Sequence, residues 1–269
     1  MVHGIHTYKH QYHHRTSRMR MARHVVWFIP TLLIIATGIV LFGASRLPVF
    51  HAVEIATLLT SLAASFARLL IAYILSLAIG IPLALIAEGN KRVESILLPI
   101  YDVLESMPIL AFFPVIIIFF VQYGWIEAAA IFIIFFNMLW NIVFNLIGGL
   151  KVIPRDIFAV AKVFGFTGLS RFTTFTLPAL FPPLTTGTIL AFAEGWNMLI
   201  VAEVLHAYAP QSVGAHDLFG IGSVLVSSAN SGDTATFLAA TIVILVTITI
   251  INLFVWQPLL TRSEKYKFE

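Results

Sequence analysis

"KVIPRDIFAVAKVFGFTGLSRFTTFTLP", Lys151–Pro178, decides how this chain is read. It lies between two long apolar runs and holds four of the chain's sixteen Lys and Arg residues. Its apolar residues recur at helical spacing, yet it is too charged to cross a bilayer and too apolar for a plain loop. Pro154 suits a first helical turn, where its missing N–H would be unpaired anyway. Ile157, Phe158, Val160, Ala161, Val163 and Phe164 make a broad apolar surface, with Arg155, Asp156 and Lys162 as the polar part. Gly165 and Gly168 read as C-terminal stops. Ser170 reads as the cap of a second short helix that runs to Leu177-Pro178. The segment is therefore expected to be an amphipathic helix-turn-helix. Such a face can rest on lipid or dock in a partner's groove, and periodicity alone leaves both open.

The surroundings are those of a membrane. Of 269 residues, 59% are hydrophobic and 11% charged, against about half and about a quarter in soluble domains. The expected fold is an all-α integral membrane protein with six transmembrane helices, because one span needs roughly 20 apolar residues. The spans are expected near Val25–Ser45, Ile55–Ala87, Val93–Val121, Trp125–Leu150, Leu177–Leu205 and Ala235–Leu259. The third is broken by Pro108 and Pro114. Several are longer than needed, which predicts tilt, breaks or amphipathic ends.

Orientation follows from the basic residues. Lys9, Arg15, Arg18, Arg20 and Arg23 precede the first span, and Lys91 and Arg92 follow the second. Lys151, Arg155, Lys162 and Arg171 follow the fourth, and Arg262, Lys265 and Lys267 follow the sixth. The intervening loops hold only Arg46, and Arg68 lies within a span. Both termini and the opening segment are thus expected to be cytoplasmic. The organisation reads as a basic His-rich tail at 1–24, a first span with its outer loop at 25–53, a core at 54–260 and a tail at 261–269. The tail's six histidines (His3, His6, His10, His13, His14, His24) could bind metal, but a basic anchor on anionic lipid accounts for them more simply. The apolar run after the tail is read as a retained first span, not a removed signal peptide.

Several chemistries are not encoded. The chain has no Cys, hence no thiolate metal site or Cys nucleophile. No G-x-x-x-x-G-K-[ST], H-E-x-x-H or G-x-S-x-G occurs. A membrane enzyme is disfavoured, and no metal or catalytic residue is expected. The small positive charge explains orientation and is no nucleic-acid signal.

The spacing of the opening segment resembles the "EAA" loop in permease subunits of binding-protein-dependent ABC importers. That pattern is E-A-A, three residues, a Gly, nine residues, then I-x-L-P. Here Ala161, Gly165, Leu177 and Pro178 stand at the family spacing. Ala159 replaces the Glu, Val160 the middle Ala, and Phe175 the Ile. "SMPILAFFPVIIIFFVQYG", Ser106–Gly124, resembles the P-x-x-A-x-x-P segment of nitrate, sulfonate, taurine and bicarbonate permeases through Pro108, Ala111 and Pro114. "TILAFAEGWNMLIVAEVL" with "GIGSVL" is similar to the fifth span and outer loop of that group. "FARLLIAYILSLAIGIPLALIAEGNKRVESILLPIYDVLESMP" and "NLFVWQPLL" look closer to an anion-permease branch whose chains are often duplicated. The resemblance covers about Glu54 to Leu260.

It implies a MetI-like permease core in the inner membrane of a prokaryote, with a second permease copy as a homodimer. Two ATPase subunits and an extracytoplasmic substrate-binding protein would complete the importer. ATP and Mg would be bound by the ATPase, and none by this chain. Residues 151–176 would form the coupling loop, through Ala159, Val160, Ala161, Lys162, Gly165, Phe166, Ser170 and Arg171, with Leu177 and Pro178 joining it to a moving span. The cargo would be a small anionic solute. The competing class is a stand-alone secondary transporter or channel.

Ionisable groups at membrane depth are costly and face a bundle interior or water. Candidates along a path are Arg68, Asp102, Glu105, Asn137, Asn141, Glu194, Asn197 and Glu203. Thr57, Ser61, Ser65 and Arg68 share one helical face. The simplest expectation for Arg68 is an ion pair with Asp102 or Glu105; an anion contact is the other. Asn137, Asn141 and Asn145 form an i+4 ladder expected to bond between helices. Glu194 and Glu203 either pair across a dimer or line the path. "HDLFGIGSVLVSSANSG" is expected to hold a short outer helix near where a binding protein docks.

Overall fold

The computed structural model describes residues 54–153, 163–166, 168–204 and 217–266, without the side chains of Glu105, Leu110, Val121, Leu169, Arg171 and Phe172. The tail, the expected first span, and Ala159, Val160, Ala161 and Lys162 lie outside the described residues.

Every described element is helical. α1 is Ile55–Gly89, α2 Lys91–Ser106 and α3 Phe113–Val121. α4 is Ile126–Val152, the short α5 is Gly168–Arg171, and α6 is Leu177–Glu203. α7 is Ile221–Ser231, α8 Thr234–Ile251 and α9 Gln257–Ser263. Among the described residues, four continuous helical stretches are long and apolar enough to cross a membrane: Ile55–Gly89, Ile126–Val152, Thr173–Glu203 and Thr234–Tyr266.

The expected third span is broken at its prolines, as the sequence predicts. α2 stops at Ser106 because Met107 precedes Pro108, and a residue before proline avoids the helical region; Met107 is extended at φ −80°, ψ 128°. A 3-10 turn at Ile109–Ala111 follows. α3 then starts with Pro114 in its first turn, where no N–H is needed. Helices of 16 and 9 residues meet at this elbow, each short of the roughly 20 residues a span requires.

Two further prolines set π turns. Phe172–Thr176 lies directly before Leu177-Pro178, and Asn252–Trp256 directly before Gln257-Pro258. A proline ring crowds the carbonyl four residues back and offers no N–H, so the preceding turn widens. The helix continues through both places. From Gly168 the chain therefore runs into α6 without a loop.

α4 is the central helix. Ile133, Ile134, Met138, Ile142, Val143 and Leu146 are all fully buried, on more than one face, as expected of a helix surrounded by others. α1 and α6 flank it. A Cβ on Gly149 of α4 would stand 2.3 Å from Cγ of Pro183 on α6, so the two backbones approach closely there. A smaller apolar cluster of Leu58, Ile221 and Ala240 joins the start of α1 to α7 and α8.

The basic ends gather together. Lys151, closing α4, pairs with Glu94 of α2 at 2.6 Å. The Gly149–Pro183 contact brings the start of α6 to the same end. Tyr266, beyond α9, packs its ring 5.6 Å from Phe181. Lys91, Arg92, Lys151, Arg262 and Lys265 thus lie towards one end of the bundle, and the start of α4, the end of α6 and α7 form the other.

Candidate functional site

At that second end lies a buried ion cluster. α1 has 35 residues and is about 52 Å long, so it overshoots its neighbours. Arg68, near the middle of α1, therefore stands level with the first turn of α4 and the last turn of α6, not midway along the bundle. Its guanidinium donates from Nε and Nη2 to the two oxygens of Glu127, at 2.6 and 2.7 Å. Its Nη1 donates to Oε1 of Glu203 at 2.7 Å. Arg68 is 5% exposed and Glu203 0%, while the Glu127 side chain is 59% exposed at the rim. The expected pairing with Asp102 or Glu105 is corrected: Arg68 is held by Glu127 and Glu203. The expected face is present, with Ser61, Ser65 and Arg68 all buried.

Glu203 does more than neutralise Arg68. Its Oε1 also accepts from Ser65 Oγ at 2.6 Å, and its Oε2 accepts from the backbone N–H of Gly222 at 2.8 Å. Ser65 Oγ in turn accepts from the N–H of Ile221 at 2.8 Å. The Glu203 carbonyl accepts from the N–H of Leu218 at 3.0 Å. The free N–H groups opening α7 are thus met by a carboxylate and a hydroxyl from other helices, where negative charge is favoured. Only glycine permits this. A Cβ on Gly220 would fall 2.2 Å from Glu203 Oε1, and one on Gly222 would fall 2.7 Å from the Cα of Ile200. The arrangement fixes α7 to α1 and α6.

Sequence reasoning missed Glu127 and the role of Gly220 and Gly222. Glu127 was legible as the lone acid opening an apolar run, but which acid meets Arg68 depends on how far α1 overshoots.

A second polar place lies on the flank of the bundle. Asn137 and Asn141 of α4, Trp140, Glu194 of α6, and Leu104 and Met107 near the elbow line a cavity of about 220 Å³. It adjoins an apolar cavity of about 230 Å³ past Phe112, Ile116 and Phe132. The asparagine ladder bonds mostly along its own helix, which corrects the expectation of bonds between helices. Asn145 Nδ2 donates to the Asn141 carbonyl at 2.8 Å, and Asn141 Nδ2 to the Asn137 carbonyl at 3.5 Å. Only Asn137 Nδ2 crosses, to the Glu194 carbonyl, at 3.5 Å. Those two contacts are at the long limit of a hydrogen bond, so both amides can turn to another acceptor. Along α6, Thr186, Leu190, Ala193, Glu194 and Asn197 form one exposed stripe at helical spacing.

The path candidates therefore fall into groups. Asn137, Asn141 and Glu194 share the cavity, and Asn197 is exposed one turn away. Arg68 and Glu203 belong to the ion cluster instead. Asp102 is exposed on α2 outside the cavity lining.

In the opening segment, Gly165 and Gly168 take φ of +73° and +54°. This left-handed conformation favours glycine; Gly165 fits the expected helix stop, whereas Gly168 opens α5 and is not the expected C-terminal stop. Val163 and Phe164 before it are 83% and 73% exposed. Phe166 sets its ring edge-on to Phe175 at 5.1 Å, tying the turn to the start of α6. Ser170 lies within α5, which begins at Gly168, so it is not the expected N-cap. Leu177 and Pro178 open α6 directly behind the π turn.

Residues 80–257 match the family described as the binding-protein-dependent transport system inner membrane component. Among relatives, the nitrate import permease protein NrtB of Leptolyngbya laminosa is 30% identical over 181 residues, covering 67% of this chain and 60% of that protein. The bicarbonate transport system permease protein CmpB of Synechococcus elongatus is 30% identical over 142 residues, covering 53% of this chain and 50% of that protein. The taurine transport system permease protein TauC of Escherichia coli is 28% identical over 152 residues, covering 56% and 54%. The chain thus spans half to three fifths of the length of these relatives. A family match to about two thirds of the chain, on a bundle of apolar helices with a polar flank, places this protein among the integral membrane components of binding-protein-dependent transport systems.

Proposed function

We propose that the chain is the membrane-spanning permease subunit of an ABC importer for a small oxyanion-bearing solute. A binding protein would deliver the solute at the α7 end, and separate ATPase chains would drive its passage. Two copies would enclose the path between their α4–α6 flanks. Both termini and the basic end of the bundle would face the cytoplasm, as the distribution of Lys and Arg indicates.

The observation that carries this reading is the polar stripe left open on α4 and α6. Glu194 and Asn197 are exposed on α6, beside the half-buried Asn137 and Asn141 that line the cavity on α4, where contact with lipid would cost several kcal/mol for the carboxylate alone. A water-filled path between two copies removes that cost. Residues 151–176 would form the element that the ATPase grips. Val163 and Phe164 offer it an apolar surface. The helix running from α5 through the π turn into α6 would carry the movement inward. With Ala159 in place of an acid, the grip would rest on shape and apolar contact. The relatives' names support an oxyanion cargo.

The test is uptake into proteoliposomes holding the permease with its ATPase and binding protein. ATP enclosed on the ATPase side should drive uptake, and ionophores that collapse ion gradients should not abolish it. Uptake that needs an ion gradient and ignores ATP would establish a secondary transporter instead.

A further inference from the structure

α2 lies antiparallel along α4, in a register set by contacts within one copy. Glu94, in the first turn of α2, pairs with Lys151, in the last turn of α4, at 2.6 Å. Two turns further along α2, the Tyr101 ring lies 5.1 Å from Trp140 and 6.1 Å from Phe144. Beyond it, Leu104 and Met107 meet Phe136 and Asn137 around the cavity at the elbow.

These contacts differ in kind. Tyr101 is buried, and its hydroxyl has no hydrogen-bond partner. Its ring holds α2 against α4 by apolar packing, which is non-directional. The Lys151–Glu94 pair is directional. Among the described residues, no other ion pair or side-chain hydrogen bond joins α2 to another helix; Asn90, Ser95 and Ser106 bond within or beside α2 itself. Each charge also suits the end of its own helix, an acid at an N-terminus and a cation at a C-terminus. That local preference explains each residue type, but not why the two meet across helices.

Lys151 stands at a junction. α4 ends at Val152, and Ile153 is already extended at ψ 122°, where the segment assigned to the ATPase begins. α2 has 16 residues, about 24 Å of helix, and stops at Met107 before the elbow. It therefore has the form of a lever, fastened at the ATPase end and carrying the elbow at the other.

We propose that Glu94 and Lys151 are positioning residues for transport: their ion pair is the joint through which movement of the ATPase-gripped segment reaches α2 and the elbow. The proposal rests on the importer reading above and names how its drive reaches the path.

The test uses the complete importer with its binding protein in proteoliposomes, with nitrate, bicarbonate and taurine as probes. The readout is uptake per ATP hydrolysed. Glu94→Lys and Lys151→Glu each set like charges together. Each should keep basal ATPase activity and lower uptake per ATP about fivefold, the upper end for a part-exposed pair. The double exchange should recover at least about half of the loss, since the pair re-forms although each charge now opposes its helix end. A double exchange as impaired as Lys151→Glu alone would mean that Lys151 serves the ATPase directly, and would overturn the joint. The chain has no Cys of its own, so Glu94→Cys with Lys151→Cys can be bridged by a short bifunctional thiol reagent. Bridging should raise the uptake per ATP of that variant, and this readout stands even where a charge reversal fails to assemble. Bridging that lowers uptake or leaves it unchanged, or single reversals that couple within twofold of the unaltered protein, would overturn the joint and leave the importer standing. Absence of ATP-driven uptake in the unaltered protein would strike the importer reading itself, and the joint with it.

Discussion

Replacing Glu203 by Gln should release the start of α7 while leaving the rest of the bundle folded. The carboxylate is fully buried and accepts three side-chain-directed bonds: from Ser65 Oγ at 2.6 Å, Arg68 Nη1 at 2.7 Å and the Gly222 N–H at 2.8 Å. All three partners are donors. Glutamine keeps one acceptor oxygen but turns an NH₂ towards one of them, so a donor faces a donor. It also leaves Arg68 with only the rim carboxylate of Glu127. Breaking one side of a buried ion pair costs about 3–5 kcal/mol, and the surviving bidentate bond to Glu127 keeps the effect near the lower value. A change of about 3 kcal/mol is roughly a hundredfold in a local opening equilibrium. The assay is hydrogen exchange of the detergent-solubilised protein, followed on peptides spanning Leu218 to Ser231. Those amides should exchange about a hundredfold faster, while peptides from the centre of α4 hold their protection. Exchange at Leu218–Gly222 within twofold of the unaltered protein would refute the claim that Glu203 caps α7. Uniform loss of protection across α4 would refute the claim that the clasp is local.

Other perturbations should follow the same physics. Gly222→Ala changes no charge, yet its Cβ would press on the Ile200 backbone at 2.7 Å; it should loosen α7 in the same exchange assay by at least about fivefold, from an overpacking cost of about 1–3 kcal/mol. Gly165, at φ +73°, should tolerate no bulky β-branched residue: Gly165→Val should leave membrane insertion intact in a fractionation assay but depress ATPase activity of the assembled importer. Asp233 caps α8 by accepting from the Thr236 N–H at 3.1 Å, and hydrogen bonds to Thr236 hold its carboxyl below the usual range. A depressed folded-state value stabilises the helix start above the unfolded carboxyl range and loses that stabilisation as pH falls through the folded value. Exchange at Thr234–Phe237 should therefore quicken, beyond the intrinsic pH trend, at acid pH. Asp233→Asn should flatten that dependence.

The apolar periods and prolines made most of the bundle legible. The second, fourth, fifth and sixth expected spans correspond to α1, α4, α6 and the α8–α9 stretch within a few residues. Pro108 and Pro114 marked the break in the third span correctly, and the structure splits it there into two helices. The π turns before Pro178 and Pro258 were not read, because a widened turn keeps the helical pattern in sequence. The face of Arg68 could be read from Ser61 and Ser65, since spacing on one helix is local. Its partner could not: that depends on the axial offset between α1, α4 and α6, which no local pattern encodes. The glycines of "GIG" read as part of a resemblance, and only the packed structure gives their cause, the Glu203 carboxylate seated against them. Ser170 was misread because a cap was sought where the chain enters α6 as continuous helix.

The central claim is that this chain works as the membrane half of an ATP-driven importer, gripped through residues 151–176. Isolation of the protein in mild detergent from its native membrane tests it most directly, with the co-purifying chains identified and quantified. An ATPase subunit should be recovered in equal amount, cross-linking through a cysteine introduced at Phe164 and lost from the complex in Gly165→Val. Recovery of a transport-competent protein with no ATPase bound would contradict it.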